Sequence, residues 1–552
     1  MLEPDVADDL LPAGVQSVLA ARIDGLDGPA KGVLRDASVL GLRANLPALE
    51  AVGRASGHGD PQIVRKAVAV LVDRRLLESD GDDDCYRLGH TLVRDVAYAG
   101  LAKAERARRH AAAAAHASGT GGGRSSEADG VAAVHGERAV RLAHEMSLAL
   151  TDPAWVGRGV AFAALARLAR AALARDDNLA AEALAARALA LDDPAYGLPL
   201  PADLVVPARL ARGEALAALH RLAEAEVELG PALAASEDGL RAGALVVLGT
   251  IRRQTGDIAA ATRAFVSALA AASSAGLDRV TGEALRQLGL LDYFEGRLRA
   301  AESRFREAHA LAVQVDDPRG AGWALQHLAW SATTRGDYPL ADQTLDQARE
   351  VFTGLEDLGG LSWLAGTEAF VRLLQGRLRE ARVLAQGELP LAQDLDERWG
   401  VAALLTIDAL AAAELGDLAA ADAAAGQAAT IFAEVGDAWG QSLALIAAGF
   451  SARAAARPEQ ALELLGRAEE LSSVAGSRLT QSLSLVAAGY VHLDRQDAAA
   501  AEGCAWRASA ALGGLDLEGY ALLGARVLLA QAMRVRGDLE GALVELESAL
   551  AT

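Results

Sequence analysis

Five glycines stand at one fixed interval in this chain. Gly256, Gly296, Gly336, Gly376 and Gly416 are each 40 residues from the next, at the centres of TGD (255–257), EGR (295–297), RGD (335–337), QGR (375–377) and LGD (415–417). A period of that length confines the chain to architectures that stack copies of one supersecondary unit, because such a unit cannot bury its apolar face alone. The glycine gives way at Ala456 and Gln496 and returns at Gly537. A second marker persists throughout: five residues after each of these positions stand Ala261, Ala301, Ala341, Ala381, Ala421, Ala461, Ala501 and Ala542. Apolar residues follow each alanine at +4 and, in all but one unit, where Glu388 stands, at +7, as in Phe265/Ala268, Phe305/Ala308 and Leu465/Ala468, which is one face of a helix. The glycine lets the chain turn between two antiparallel helices, and the small alanine lets them approach closely. Weaker units around Ala181 and Ala225 bring the total to about ten.

Composition agrees with helices. Hydrophobic residues make up 52% of the chain but aromatics only 4%, so the apolar surface is mostly Ala, Leu and Val, which suits close-packed helices better than a β-sandwich. Three lysines stand against 50 arginines, a bias that points to a GC-rich bacterial genome. The two cysteines, Cys85 and Cys504, have no CxxC partner, so neither a disulfide framework nor a zinc site is expected. No charged-then-apolar leader follows Met1, and arginines interrupt the Ala/Leu runs before they reach membrane-spanning length; the expectation is a soluble, cytoplasmic protein. Charge divides unevenly. Residues 1–118 carry 15 basic and 17 acidic residues, the remainder 38 and 57, so the long second part repels phosphate backbones.

The segment LGTIRRQTGDIAAATRAFVSAL (248–269) has a Leu-Gly pair, a turn glycine, then Ala, an aromatic and Ala. It resembles the tetratricopeptide repeat, and the resemblance covers roughly residues 160 to 552. The 40-residue period exceeds the usual ~34, which implies longer helices, as in repeats attached to bacterial signalling ATPases. The expected fold is all-α: a tetratricopeptide-like solenoid of helical pairs over 160–552, preceded by a small winged-helix-like α+β module over 1–118. A Gly-rich linker (119–130) and a connecting helix (131–159) join the two.

In the first 118 residues, LPAGVQSVLAARIDGL, PAKGVLRDASVL and PQIVRKAVAVLVDRRLL read as helices. LLESDGDDDCYRLG (76–89) reads as two short runs around a Gly/Asp turn, a β-hairpin. Helices followed by a hairpin suggest a winged helix, whose candidate recognition helix at 61–75 holds Arg65, Lys66, Arg74 and Arg75; Lys103, Arg106, Arg108 and Arg109 follow at 103–110. DNA contact is one reading of these cations, and a solvated face or intramolecular pairing is the other. LPAGVQSVLAARIDGLDGPAKGVLRDASVLG followed by LGHTLVRDVAYAGLAKAERARRH resembles the segment after the nucleotide-binding core of bacterial signalling (STAND-type) NTPases, of the kind linked to adenylate/guanylate cyclase domains or transcriptional regulators. That resemblance implies a nucleotide-sensing role for His90, because in the class a histidine at the start of the helix after the wing contacts the β-phosphate of bound ADP. Gly89 and Thr91 depart from the class at the flanking positions, which often hold Arg and Asp. The alternative for His90 is a cap on its helix, with Val93, Val96 and Ala97 filling the core. A P-loop needs GxxxxGK[ST], and none of Lys31, Lys66 and Lys103 stands in that setting.

Little else suggests chemistry. HExxH and GxSxG are absent, and the acidic turn SDGDDD (79–84) lacks the downstream Glu of a calcium loop, so no catalytic residue, metal site or cofactor is expected. Rings concentrate in the first helices of the central units: Tyr293, Trp323, Trp330, Trp363 and Phe370, with Gln326 among them. First helices line the concave side of such a solenoid, so these six residues are a candidate partner-binding groove; packing between units is the competing explanation. The expected function is a non-catalytic regulatory protein whose repeats bind a protein partner, peptide or inducer and control an NTPase or cyclase in cis or in trans. The alternatives are a DNA-binding regulator using the winged helix and a stand-alone assembly scaffold.

Overall fold

The computed structural model describes residues 13–81, 84–119, 125–395, 397–513 and 520–550. The chain divides into two compact units, residues 1–219 and 220–552, each considered by itself. Among the described residues no helix is long and apolar enough to cross a membrane. No group of three His, Cys, Asp or Glu among them could hold a metal ion.

The first unit opens with α1 (Ala13–Asp24), α2 (Gly28–Leu40), β1 (Arg43–Asn45), α3 (Leu46–Ala55), α4 (Pro61–Asp73), β2 (Leu77–Ser79), β3 (Cys85–Leu88) and α5 (Thr91–Ala99). Local chemistry sets these boundaries. Asp27, Asn45 and Asp60 cap α2, α3 and α4 by accepting backbone N–H bonds, each with a proline in the first turn behind it. The two runs flanking the acidic turn pair antiparallel, Leu77 opposite Leu88 and Ser79 opposite Tyr86. Asp82 and Asp83 of that turn lie outside the described residues. A third strand, β1, completes the sheet in the order β1-β3-β2, and its sequence RAN carries neither alternation nor branched residues that would mark it. Val33, Leu34, Leu49, Val64, Leu71 and Leu88 form the core between helices and sheet.

Helices α6 (Lys103–Gly119), α7 (Ser126–Glu145), α8 (Val156–Leu173), α9 (Asn178–Ala190) and α10 (Ala202–Ala218) complete the unit. Residues 126–130, expected in the linker, instead form the first turn of α7, where Ser125 caps the helix and Glu127 and Asp129 suit its positive end. Linker residues 120–124 lie outside the described residues. α6 is tied to the opening module by a buried ion pair. Asp36 of α2, fully buried, accepts from Arg109 Nε at 2.9 Å and pairs with His58 Nε2 at 2.6 Å.

The second unit begins with α11 (Leu222–Leu233) and continues as eight helical pairs. These are α12/α13 (Asp238–Gln254, Ile258–Ser274), α14/α15 (Asp278–Phe294, Leu298–Gln314) and α16/α17 (Pro318–Arg335, Tyr338–Gly354). Next come α18/α19 (Leu358–Leu374, Leu378–Asp394), α20/α21 (Arg398–Glu414, Leu418–Glu434) and α22/α23 (Ala438–Ala454, Pro458–Val474). The last are α24/α25 (Arg478–Asp494, Ala498–Leu512) and α26/α27 (Tyr520–Arg536, Leu539–Leu550). The architecture is the all-α, tetratricopeptide-like solenoid that the sequence predicts.

The interval of 40 has a simple origin: two 17-residue helices and two three-residue turns. The backbone itself repeats every 20 residues. Its middle turn residue is left-handed at Gly256, Gly276, Gly296, Asp316, Gly336, Glu356 and Gly376, and again at Gly416, Gly436, Ala456, Gly476 and Gln496. The turn closes as a Schellman motif, Gly256 N–H bonding to Arg253 O and Asp257 N–H to Arg252 O. Ala456 holds this conformation at φ +54 although its Cβ disfavours it. Ala456→Gly is therefore expected to stabilise the protein by about 1 kcal/mol, read as a higher urea midpoint with unchanged slope. An unchanged or lower midpoint would show that the turn bears no strain.

In the α12/α13 and α14/α15 pairs residue sizes are matched, glycine against ring. The Phe265 ring lies where a Cβ on Gly249 would come within 2.5 Å, and Phe305 likewise covers Gly289 at 2.6 Å. Where the first helix has Ala329 in place of glycine, the facing residue shrinks to Leu345. The unit also meets itself. A Cβ on Gly256 would lie 3.2 Å from Val474 O, and one on Gly476 3.0 Å from Ile258 Cγ1. Successive pairs thus wind round until the α12–α13 turn rests on the α23–α24 turn.

Candidate functional site: an aromatic chamber in the repeat unit

The first helices of successive pairs line a half-open cavity of about 770 Å³. Its walls are ladders of residues 40 apart. One holds Trp330, Phe370, Leu410, Phe450 and Tyr490; a second holds Gln326, Gly366, Thr406, Ile446 and Val486; a third holds Trp363, Ala403, Leu443, Leu483 and Leu523. On α18 the lining residues Trp363, Gly366, Thr367, Phe370 and Leu374 follow the three- and four-residue steps of one helical stripe. Each helix gives one such stripe to its own second helix and another to the chamber.

One wall is a continuous run of rings. Trp363 stacks on Trp399 with centroids 4.6 Å apart, and Trp399 is parallel to Trp439 at 6.2 Å. Trp439 meets Trp330 edge-on at 5.6 Å, and Trp330 stacks on Tyr293 at 5.3 Å. Trp439 also reaches Phe294 at 5.0 Å, so residues far apart in the winding close this side. Polar anchors fix the rings. Trp363 Nε1–H donates to Glu397 Oε2 at 2.8 Å, and Trp399 Nε1–H donates to the Asp437 carboxylate, each acceptor standing just before the first turn of its helix. Burial pushes the Glu397 carboxyl above its ordinary range. Tyr293 hydroxyl shares a hydrogen with Thr334 Oγ1 at 2.9 Å, and burial pushes its pKa up to about 12.

Five of the six residues singled out by sequence line the chamber: Tyr293, Gln326, Trp330, Trp363 and Phe370. Trp323 does not. Seven residues earlier it shares the stripe of Trp330 but lies about 10 Å nearer the helix start. There Phe352 and Trp363 cover it at centroid distances of 5.4 and 6.0 Å. Trp399, Trp439, Phe450 and Tyr490 were missed. Adding 40 to Phe370 reaches Leu410, Phe450 and Tyr490, so the interval already read from the glycines would have found the last two; Trp399 and Trp439 lie 40 apart on a register that none of the six residues occupies.

In the first unit His90 caps α5: its exposed ring accepts the Leu92 N–H at Nδ1, 3.1 Å away. Val93 and Ala97 of the same helix are buried, and Val96 packs against their core. Tyr98 hydroxyl contacts His110 Nε2 at 2.9 Å, and His110 Nδ1 contacts His135 Nδ1 at 2.8 Å. Burial drives the His110 pKa well below its ordinary value and brings His135 down to about 4, so both rings are neutral near pH 7. Most of the cations considered for DNA have partners inside the molecule. Arg74 donates to Gly25 O, Lys103 pairs with Glu145, Arg108 with Asp152 and Arg109 with Asp36, while Arg106 lies 4.5 Å from the Tyr98 ring centre.

No protein-family model and no curated protein matches the chain. Solved structures do. A Rap protein complexed with Competence and Sporulation Factor is 14% identical with a TM-score of 0.42, over 62% of this chain and all of that one. A Signal Transduction ATPase with Numerous Domains (STAND) protein with a tetratricopeptide repeat sensor, from Pyrococcus horikoshii, is 12% identical with a TM-score of 0.35; the match covers 99% of this chain and 65% of that one. Yeast Tom70 is 12% identical with a TM-score of 0.33, over 75% of this chain and 93% of that one.

Proposed function

We propose that this chain is a non-catalytic regulatory sensor. Its repeat unit binds an occupant in the aromatic chamber, and occupancy controls an NTPase or cyclase, in the same polypeptide or in a partner. The observation that carries this reading is that one chamber wall is a single run of rings drawn from five successive helical pairs, α14/α15 to α22/α23. An occupant that fits one arrangement of the pairs better than another shifts their packing by that difference in affinity, which is all a sensor requires.

On the same reading His90 meets the phosphate of a nucleotide held by the regulated NTPase. Because its Nδ1 already accepts the Leu92 N–H, the neutral ring carries its proton on Nε2, the donor a phosphate needs.

Native mass spectrometry of the chain purified from its own cells tests the chamber, alongside Trp330→Ala. The expected result is a bound mass on the unaltered protein that the variant loses, with melting changed by only a few degrees. A steep fall in melting temperature with no bound mass on either protein returns the rings to a packing role.

A further inference from the structure

We infer that the chamber takes a small, uncharged, largely apolar molecule with a flat aromatic part and one hydrogen-bond donor, which it presents to Gln326. This rests on the chamber being the sensor's binding site and specifies what enters it. Size comes first: about 770 Å³ admits a compact organic molecule. The lining decides the chemistry. Trp330, Phe370, Leu410, Ile446, Phe450 and Leu483 offer rings and aliphatic groups. A peptide brings a donor and an acceptor with every residue, and this wall would strip water from them and return few bonds.

Charge is also provided for. Glu397 is held by Trp363 Nε1–H, and Arg453 pairs with Asp494 at 2.6 Å. Glu414 is exposed to solvent. An anionic ligand would have to break the Arg453–Asp494 pair or go unpaired, and a cation could meet only the solvent-exposed Glu414, where water screens the pair to little net gain.

Among the described lining residues, Gln326 carries a buried polar atom that is uncommitted. Gln326 is 2% exposed, and its Oε1 is buried without a hydrogen-bond partner. The orientation of its amide follows from its neighbour. Thr367 Oγ1 donates to Trp363 O at 3.1 Å, so toward Gln326 it acts as acceptor and receives Nε2–H at 2.7 Å. Oε1 is then the end left over. A buried acceptor without a donor is costly, and a ligand donor that reaches it recovers that cost on binding.

The test uses N-phenyl-1-naphthylamine, which is flat, uncharged and carries one N–H, and its N-methyl derivative, which carries none. Both are titrated into the full chain, following dye emission and the quenching of tryptophan. The expected result is one N–H dye per chain, bound about tenfold more tightly than the methylated dye. Gln326→Leu should remove that tenfold preference, and Leu410→Arg should abolish binding of both. Equal affinity for the two dyes on the unaltered chain overturns the proposal and needs no variant to fold. If neither dye binds but a peptide mass is carried by the unaltered chain and lost in Trp330→Ala, the sensor stands and this ligand class falls. If neither dye nor any cellular mass binds, both fall.

Discussion

Asp36→Ala is expected to destabilise the first unit by about 3–5 kcal/mol, because it strands a buried guanidinium. The Asp36 carboxylate is fully buried, and Arg109, whose residue is 8% exposed, donates to it from α6. His58 shares the same carboxylate from the segment between α3 and α4, and the hydrogen bond to Asp36 raises its pKa. One side chain therefore binds three separate pieces of chain. Urea unfolding followed by far-UV circular dichroism would show the transition of this unit moving to lower denaturant. The His58 resonance supplies an independent reading. A raised folded-state pKa gives stability that is fully present below the unfolded value and is lost as pH rises through the folded one, so the variant should lose that slope. If His58 titrates unchanged and stability drops by less than about 1 kcal/mol, Asp36 does not organise this junction. The paired replacement Asp36→Leu with Arg109→Leu should recover much of the loss, since the cost lies in the unpaired charge.

Phe305→Ala should cost a similar amount, about 3–5 kcal/mol, by a different route. Phe305 is 1% exposed, its ring covers Gly289, and it stacks on His327 at a centroid distance of 5.4 Å. It belongs to the same buried cluster as Leu290, Tyr293 and Trp330. Truncation leaves a void that the glycine cannot fill and removes support behind the chamber wall. Tryptophan emission should shift to the red at the unfolding transition, which itself moves to lower urea. A midpoint within error of the unaltered protein would mean that neighbouring pairs collapse into the space and that the size match with Gly289 is incidental.

The repeat unit was legible because its signal is arithmetic. The glycines mark every second left-handed turn, and the alanines five residues later mark the close approach of the helices. The backbone interval of 20 was hidden because the intermediate turns are glycine at Gly276, Gly436 and Gly476 but not at Asp316 and Glu356, which adopt the same turn. The chamber was half legible. Its rings stand out in a chain with few aromatics, but whether a ring faces a cavity or a neighbouring pair depends on its height along the helix, as Trp323 shows. Strand β1 was invisible because three residues hold no alternation and form a strand only by pairing with β3, Ala44 opposite Tyr86. Asp36, His58 and Arg109 could not be grouped either, since nothing in their spacing along the chain signals that they meet.

The contact between the turns at Gly256 and Val474 bears on how such a protein can evolve. An open array of repeats gains or loses a unit at little cost, because each unit answers only to its neighbours. Here the number of pairs between the two touching turns is counted by geometry. Duplicating or deleting one of them would carry the turns past each other and part the rings that meet across the winding. The closed stretch runs on into α26, where Leu523 lines the chamber and Leu522 packs against the cluster of Leu290 and Phe294. Copy-number variation among descendants of this chain should therefore gather outside the closed stretch, which would be inherited as a single piece.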